Sequence, residues 1–359
     1  MSRQLFKVIK KSNQKKILSA KMCFFLFFLF WINVNPTKPD TSVDSSDNYQ
    51  KGLEYLNQNK FLEAVNEFDK EIQKNPKNDQ AYYNRGVAKA NLNDFENAIS
   101  DFDQALKVNS KYYLAYFAKA NSLKKLNYIN EAIDNYNLTI QVNPKYEKAY
   151  FNRANTYEEI KKYDLSIRDY LKAISLNPEN FKYYYNLGNV YKKNSQFEEA
   201  LNSYEKTIEK NPNYAPAYNN LATALKQKEN YTEALMNINE ALKLDSNLDY
   251  LNNRGNIYRL MGICNEAIKD YSQIIEKNNK YTNAYYGRAL CKVELNLPDE
   301  AIEDFTKFLE IEPDNPTVLM NRGQIFVNIK NYEMACKDFE KSYVLGMIEV
   351  KDLIKKYCK

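Results

Sequence analysis

The 359-residue chain contains no histidine. That one absence removes every His-based triad, every imidazole general base and every His-ligated metal centre. Glycine is scarce, with 8, and there are 10 prolines, which disfavours an all-β fold with many tight turns. The five cysteines are Cys23, Cys264, Cys291, Cys336 and Cys358. No two stand two to four residues apart, so zinc-knuckle spacing is missing. An odd, scattered set does not read as a disulfide framework. Cys264, Cys291 and Cys336 fall on the apolar pattern of helices and are expected to be buried free thiols. No Gly-rich phosphate loop, nucleophile–base pair or metal cluster appears. The expectation is a protein that is not an enzyme, with no cofactor, no metal and no small-molecule substrate.

Charge is present but unevenly placed. Residues 1–21 hold seven basic and no acidic side chains, while the rest holds 44 basic and 46 acidic ones. A near-neutral body argues against nucleic acid as a partner, which would need a basic face on the folded part. After the basic segment comes a Phe-rich apolar run, residues 22–34, then a polar linker, residues 35–46. The run has the length of a signal-peptide core or short anchor. Residues 17–34 are expected to associate with a membrane, with a cytoplasmic amino end and the body on the far side, or else secreted or periplasmic.

Self-similarity decides the fold class. Gly52, Gly86, Ala120, Ala154, Gly188, Ala222, Gly255, Ala289 and Gly323 recur every 34 residues, with one step of 33. Twelve residues after each stands a second small residue: Ala64, Ala98, Ala132, Ser166, Ala200, Ala234, Ala267, Ala301 and Ala335. Four further on stands a bulky one: Phe68, Phe102, Tyr136, Tyr170, Tyr204, Ile238, Tyr271, Phe305 and Phe339. Paired antiparallel helices need small residues where they cross and a large one in the next layer. Asn-Pro steps close several repeats, because the residue before proline avoids the helical region.

This pattern resembles the tetratricopeptide-repeat family over residues 47–346, in nine repeats. The resemblance implies an all-α, right-handed superhelical solenoid of antiparallel helix pairs. Residues 347–359, with Ile348, Leu353, Ile354 and Tyr357, read as a helix capping the last apolar face.

Arginine recurs just before the first small position, as Arg85, Arg153, Arg254, Arg288 and Arg322. Sixteen residues later stand Asp101, Asp169, Asp270, Asp304 and Asp338. Where leucine replaces arginine, at Leu187 and Leu221, the partner is uncharged Ser203 or Asn237. These are expected to be structural ion pairs joining the two helices of a repeat. Lys51 with Glu67, and Lys119 with Asn135, are weaker versions of the pattern.

Asparagine recurs two residues before the small position: Asn84, Asn152, Asn186, Asn220, Asn253 and Asn321. A second row, one residue after it, holds Asn121, Asn155, Asn189 and Asn256. The rows are three apart and share one face of the first helix. The resemblance places that helix along an inner groove, where amides can hold an extended peptide backbone. The family's carboxylate clamp, which holds acidic chaperone tails, is expected to be absent, because its lysine position carries Tyr185, Asn219 and Asn252. Phe151 and Tyr185 are expected at the groove wall. Lys124, Lys125, Lys192, Lys193, Lys226 and Arg259, at places that edge the groove, give its middle a basic cast, which Glu158 and Glu159 interrupt. The function implied is a scaffold binding extended peptides or partner proteins, membrane-tethered or exported. The alternative is the targeting subunit of an enzyme complex, as in glycosyltransferases that carry such arrays.

Overall fold

The structure, a computed structural model, describes residues 47–358. The segments assigned above to residues 1–46 lie outside these, and with them the expectation of a membrane-associated run. Among the described residues no helix is long and apolar enough to cross a membrane.

Nineteen α-helices and one 3-10 turn follow in order, with no strand among the described residues. The chain divides into two compact bodies at Pro144. The first holds α1 (Asp47–Asn57), α2 (Phe61–Lys74), α3 (Asp79–Asn91), α4 (Phe95–Val108), α5 (Tyr113–Lys125) and α6 (Ile129–Val142). The second holds α7 (Glu147–Glu159), α8 (Tyr163–Leu176), α9 (Phe181–Lys193), α10 (Phe197–Lys210), α11 (Ala215–Gln227) and α12 (Tyr231–Leu244). It continues with α13 (Leu248–Leu260), α14 (Cys264–Lys277), α15 (Thr282–Glu294), α16 (Pro298–Ile311), α17 (Pro316–Asn328), α18 (Tyr332–Val344), the 3-10 turn Ile348–Val350 and α19 (Lys351–Tyr357). Each repeat is thus an odd-numbered helix A and an even-numbered helix B.

The 34-residue register explains the packing. A Cβ added to Gly86 would stand 2.6 Å from the ring of Phe102, which is fully buried. The small residue therefore lets helix B's aromatic ring lie against the backbone of helix A. Where serine replaces alanine at the second small position, Ser166 Oγ donates to the Ala154 carbonyl at 2.8 Å, so the buried hydroxyl is satisfied. The A-to-B turns are tight. Each sets one residue at positive φ, among them Asn93 at 63°, Lys161 at 58°, Glu229 at 61° and Gly262 at 74°. The turn closes by bonds such as Asp94 N–H to the Lys89 carbonyl, 3.0 Å, which satisfy the orphan carbonyls of the helix end.

After the ninth repeat, Val350, Leu353, Ile354 and Tyr357 pack on Phe326, Val327 and Phe339. This terminal segment carries a correction. Cys336 is not a free thiol: it is disulfide-bonded to Cys358, with Cα atoms 5.4 Å apart. Docking of α19 on α18 brings the two within bridging distance. A separation of 22 residues in the chain carries no sign of that proximity. Cys264 and Cys291 are buried and free.

Candidate peptide-binding face

The five arginines form two-pronged contacts with their aspartates. Nε and Nη2 of Arg153 lie 2.6 and 2.7 Å from the two carboxylate oxygens of Asp169. Arg254 with Asp270 shows 2.8 and 2.7 Å, and Arg288 with Asp304 shows 2.9 and 2.6 Å. Arg85 with Asp101 and Arg322 with Asp338 repeat the geometry. All five aspartates are buried. The planar fork of arginine matches a carboxylate in this way and lysine does not. The remaining nitrogen reaches back one repeat: Arg288 Nη1 donates to Ser272 Oγ at 3.0 Å, and Arg322 Nη1 to Thr306 Oγ1 at 2.9 Å. One guanidinium therefore joins three helices, a link the sequence pattern did not suggest. A second buried cation, Lys292, stands 2.9 Å from Asp304.

The two weaker pairs are not formed. Lys51 bonds Asp47 and Glu67 bonds Lys70, each within its own helix. Lys119 reaches Asp103 in the preceding helix B, 2.5 Å away, while Asn135 caps a carbonyl of its own helix. Lysine is long enough to reach the nearest carboxylate, and Asn135 carries none.

The asparagine rows have internal partners. In the second row each oxygen accepts from a tyrosine hydroxyl of helix B: Asn121 from Tyr136 at 2.6 Å, Asn155 from Tyr170 at 2.5 Å, Asn189 from Tyr204 at 2.9 Å and Asn256 from Tyr271 at 2.9 Å. Those rings are fully buried, and a buried hydroxyl needs a partner. Where the bulky residue is Phe or Ile, the facing residue is Leu53, Val87, Thr223, Leu290 or Gln324 rather than asparagine. The signal stood fifteen residues apart in the sequence.

In the first row, Asn84 is 2% exposed and donates to Tyr49 Oη at 3.0 Å, so it is core rather than groove. Asn321 donates in the same way to Tyr286 at 3.2 Å. Across α9, α11 and α13 the amides form a ladder. Asn220 Nδ2 donates to Tyr185 Oη at 3.1 Å and to Asn189 Oδ1 at 2.9 Å. Asn253 Nδ2 donates to Asn219 Oδ1 at 2.8 Å. Asn186, Asn189, Asn220, Asn253 and Asn256 are all half-buried. Phe151 departs from the expected groove wall. It is 7% exposed, with its ring centroid 4.9 Å from that of Tyr183. Burial holds the Tyr185 hydroxyl above the usual tyrosine range, against the pull of Asn189 and Asn220.

Lys192 lies three residues beyond Asn189 and shares its face of α9. Lys226 on α11 and Arg259 on α13 occupy the same register. Burial pushes the Lys192 ammonium below the ordinary lysine range, with Lys193 and Lys226 adding repulsion. Lys226 is lowered by burial and then by Arg259. On α13, Asn252 Oδ1 and Arg259 Nε are buried without a hydrogen-bond partner among the described residues. Two surface depressions open on the array, about 620 Å³ lined by Met236, Asn237 and Arg254 and about 380 Å³ lined by Leu171, Leu187 and Ser203.

Tetratricopeptide-repeat profiles match residues 80–112, 113–146, 181–214, 213–286, 282–315 and 316–343, and a TPR-repeat profile matches 159–195. The chain belongs to the tetratricopeptide-repeat family. Tetratricopeptide repeat protein 6 of Homo sapiens is 37% identical over 86 residues, 24% of this chain and 16% of that protein. Small glutamine-rich tetratricopeptide repeat-containing protein 2 of Saccharomyces cerevisiae is 33% identical over 104 residues, 29% of this chain and 28% of that protein. The chain thus matches less than a third of the length of these curated relatives. Among solved structures, a tetratricopeptide repeat protein from Parabacteroides merdae superposes with TM-score 0.54 at 19% identity, covering 68% of this chain and 96% of that one. The APC/C hetero-tetramer Cut9–Hcn1 gives TM-score 0.51 at 15% identity, covering 83% and 59%. These two likenesses are of fold.

Proposed function

We propose that this tetratricopeptide-repeat protein is a non-enzymatic scaffold that holds an extended polypeptide along α9, α11 and α13. The observation that carries the reading is the amide ladder through Asn189, Asn220, Asn219 and Asn253. Internal bonds fix the amide planes and so reduce the ordering cost of binding. Relatives named Hsp70-Hsp90 organizing protein 3, in Arabidopsis thaliana, and Anaphase-promoting complex subunit 3, in Schizosaccharomyces pombe, support the scaffold class. Backbone recognition implies loose sequence preference, with each hydrogen bond adding about 0.5–1.5 kcal/mol.

Peptides selected on the wild-type protein from a random library test this. Asn186→Ala, Asn220→Ala and Asn253→Ala together should weaken their binding about tenfold or more at unchanged helicity, since alanine is the better helix former. Equal binding by both proteins would place the ligand on another surface.

The basic and apolar segment in residues 1–34 motivates the second half of the proposal, that the array stands on the far side of a membrane. The Cys336–Cys358 disulfide favours an oxidising compartment. Protease protection of the full-length protein in sealed membranes tests it. Soluble cytosolic protein, unchanged when residues 1–35 are deleted, would refute this placement.

A further inference from the structure

Lys192, Lys226 and Arg259 stand once per repeat on three consecutive A helices, at the carboxyl-terminal end of the amide ladder. Both lysines are half-buried, and neither has a carboxylate within ion-pair distance among the described residues. The neighbouring acids are engaged elsewhere. Glu158 takes Lys193 at 2.7 Å and the Tyr170 hydroxyl at 3.3 Å. Glu294 accepts from the Cys264 thiol at 3.0 Å and approaches Arg259 Nη1 only to 4.0 Å. Arg259 Nε is buried without a hydrogen-bond partner among the described residues, while the guanidinium as a whole lies against the Tyr271 hydroxyl. A solvated helix end would let these side chains swing into water or pair. Here three like charges are held in file and partly desolvated, an arrangement that destabilises the free protein. Local conflicts of this kind mark functional positions.

We propose that this row is an anion-binding strip that selects acidic polypeptides, one carboxylate per repeat. The proposal rests on the groove reading above and adds the ligand's chemistry and spacing. Lys226 acts electrostatically on Lys192, and Arg259 on Lys226, so successive cations lie within short range of one another, and the interval of about 8–10 Å typical of neighbouring helices is taken for the strip. A polyproline II chain turns once every three residues and advances about 9.3 Å per turn. Acidic side chains at every third position would then face successive cations while the backbone lies on the amides. A fully extended β-strand would instead point every third side chain to the opposite face. Nucleic acid fits less well, because the cations form a single file on a near-neutral body and not a broad basic face.

Fluorescence anisotropy on the full chain, with labelled peptides of repeating Asp-Ala-Pro triplets, tests the strip. The comparison probes are Asn-Ala-Pro triplets, a composition-matched peptide with its aspartates contiguous, and a single-stranded oligonucleotide. The triplet Asp peptide should bind about tenfold tighter than its Asn counterpart. The preference should fall as salt rises, and it should vanish in the Lys192→Gln, Lys226→Gln, Arg259→Gln variant. That variant should unfold at the same temperature as wild type or higher, because it removes repulsion. Equal binding of Asp and Asn peptides overturns the strip while leaving backbone recognition standing. So does equal binding of the Asp peptide by variant and wild type. Tighter binding of the contiguous-Asp peptide overturns the spacing, and tighter binding of the oligonucleotide overturns the ligand class. Failure of every peptide to bind overturns the groove reading and the strip together.

Discussion

Asp169 is 4% exposed and takes two bonds from Arg153. Arg153→Ala would leave that carboxylate buried without its two-pronged donor. The cost should exceed that of an exposed pair, about 0–1 kcal/mol, and approach the roughly 3–5 kcal/mol of a broken buried pair. The double change Arg153→Leu with Asp169→Ser copies the solution already used at Leu187 and Ser203 and should recover much of the loss. Ser203 shows how: its hydroxyl donates to the Glu199 carbonyl at 2.7 Å and needs no cation. Urea unfolding of the single and double variants measures it, and a double variant no better than Arg153→Ala would refute the coupling. The pair was legible in the sequence because arginine and aspartate vanish together. The Tyr–Asn pairs vary together just as consistently. A shared helix face is visible in the linear spacing of the asparagines, whereas the buried hydroxyl that each oxygen accepts from lies across the helix turn, fifteen residues on.

At the scale of the element, the terminal helix is short, seven residues from Lys351 to Tyr357. A helix of that length does not persist by itself in water. It is held by Val350, Leu353 and Ile354 against the last repeat and by the Cys336–Cys358 bridge. Cys358→Ser should therefore loosen the segment from residue 348 onward. A bridge closing a loop of this size is worth about 2–4 kcal/mol. Hydrogen exchange should quicken in α19 and at the end of α18, with α7 to α16 unchanged. Unchanged exchange in α19 would show that its apolar contacts alone hold it. The capping role was readable from the apolar spacing of Leu353, Ile354 and Tyr357. The bridge was not, because it depends on where the docked helix ends.

For the whole molecule, the lack of histidine and the wealth of buried tyrosine set the pH response. No side chain with an ordinary pKa near neutrality is present, so stability should be flat from about pH 6 to 8. Burial raises Tyr49, Tyr183 and Tyr214 from 10.0 to about 12, with Tyr170 well above its usual value. A folded-state pKa above the unfolded one means that the unfolded chain gives up its phenolic protons first. The stabilisation is complete below pH 10 and is lost as pH rises through about 12. An exposed phenol ionises at about pH 10, so a first part of the phenolate absorbance should appear with helix intact, and the rest, from the buried set, should climb together with loss of helix in one cooperative step. Titration of the buried set near pH 10 with helicity intact would contradict the burial argument.

The sequence by itself determined the helix pairs, their order and their register. Small, small and bulky residues at fixed spacing act through local periodicity and near-neighbour packing, which a linear reading captures. The tertiary structure alone decided partnership. Hydrogen bonds and ion pairs need atoms within about 3 Å, and only the stacking of one repeat on the next sets which amide meets which hydroxyl. Stacking turned the second asparagine row into props for buried tyrosines, bridged Cys336 to Cys358, and left Lys192 and Lys226 in file with Arg259, whose only carboxylate contact is Glu294 at 4.0 Å.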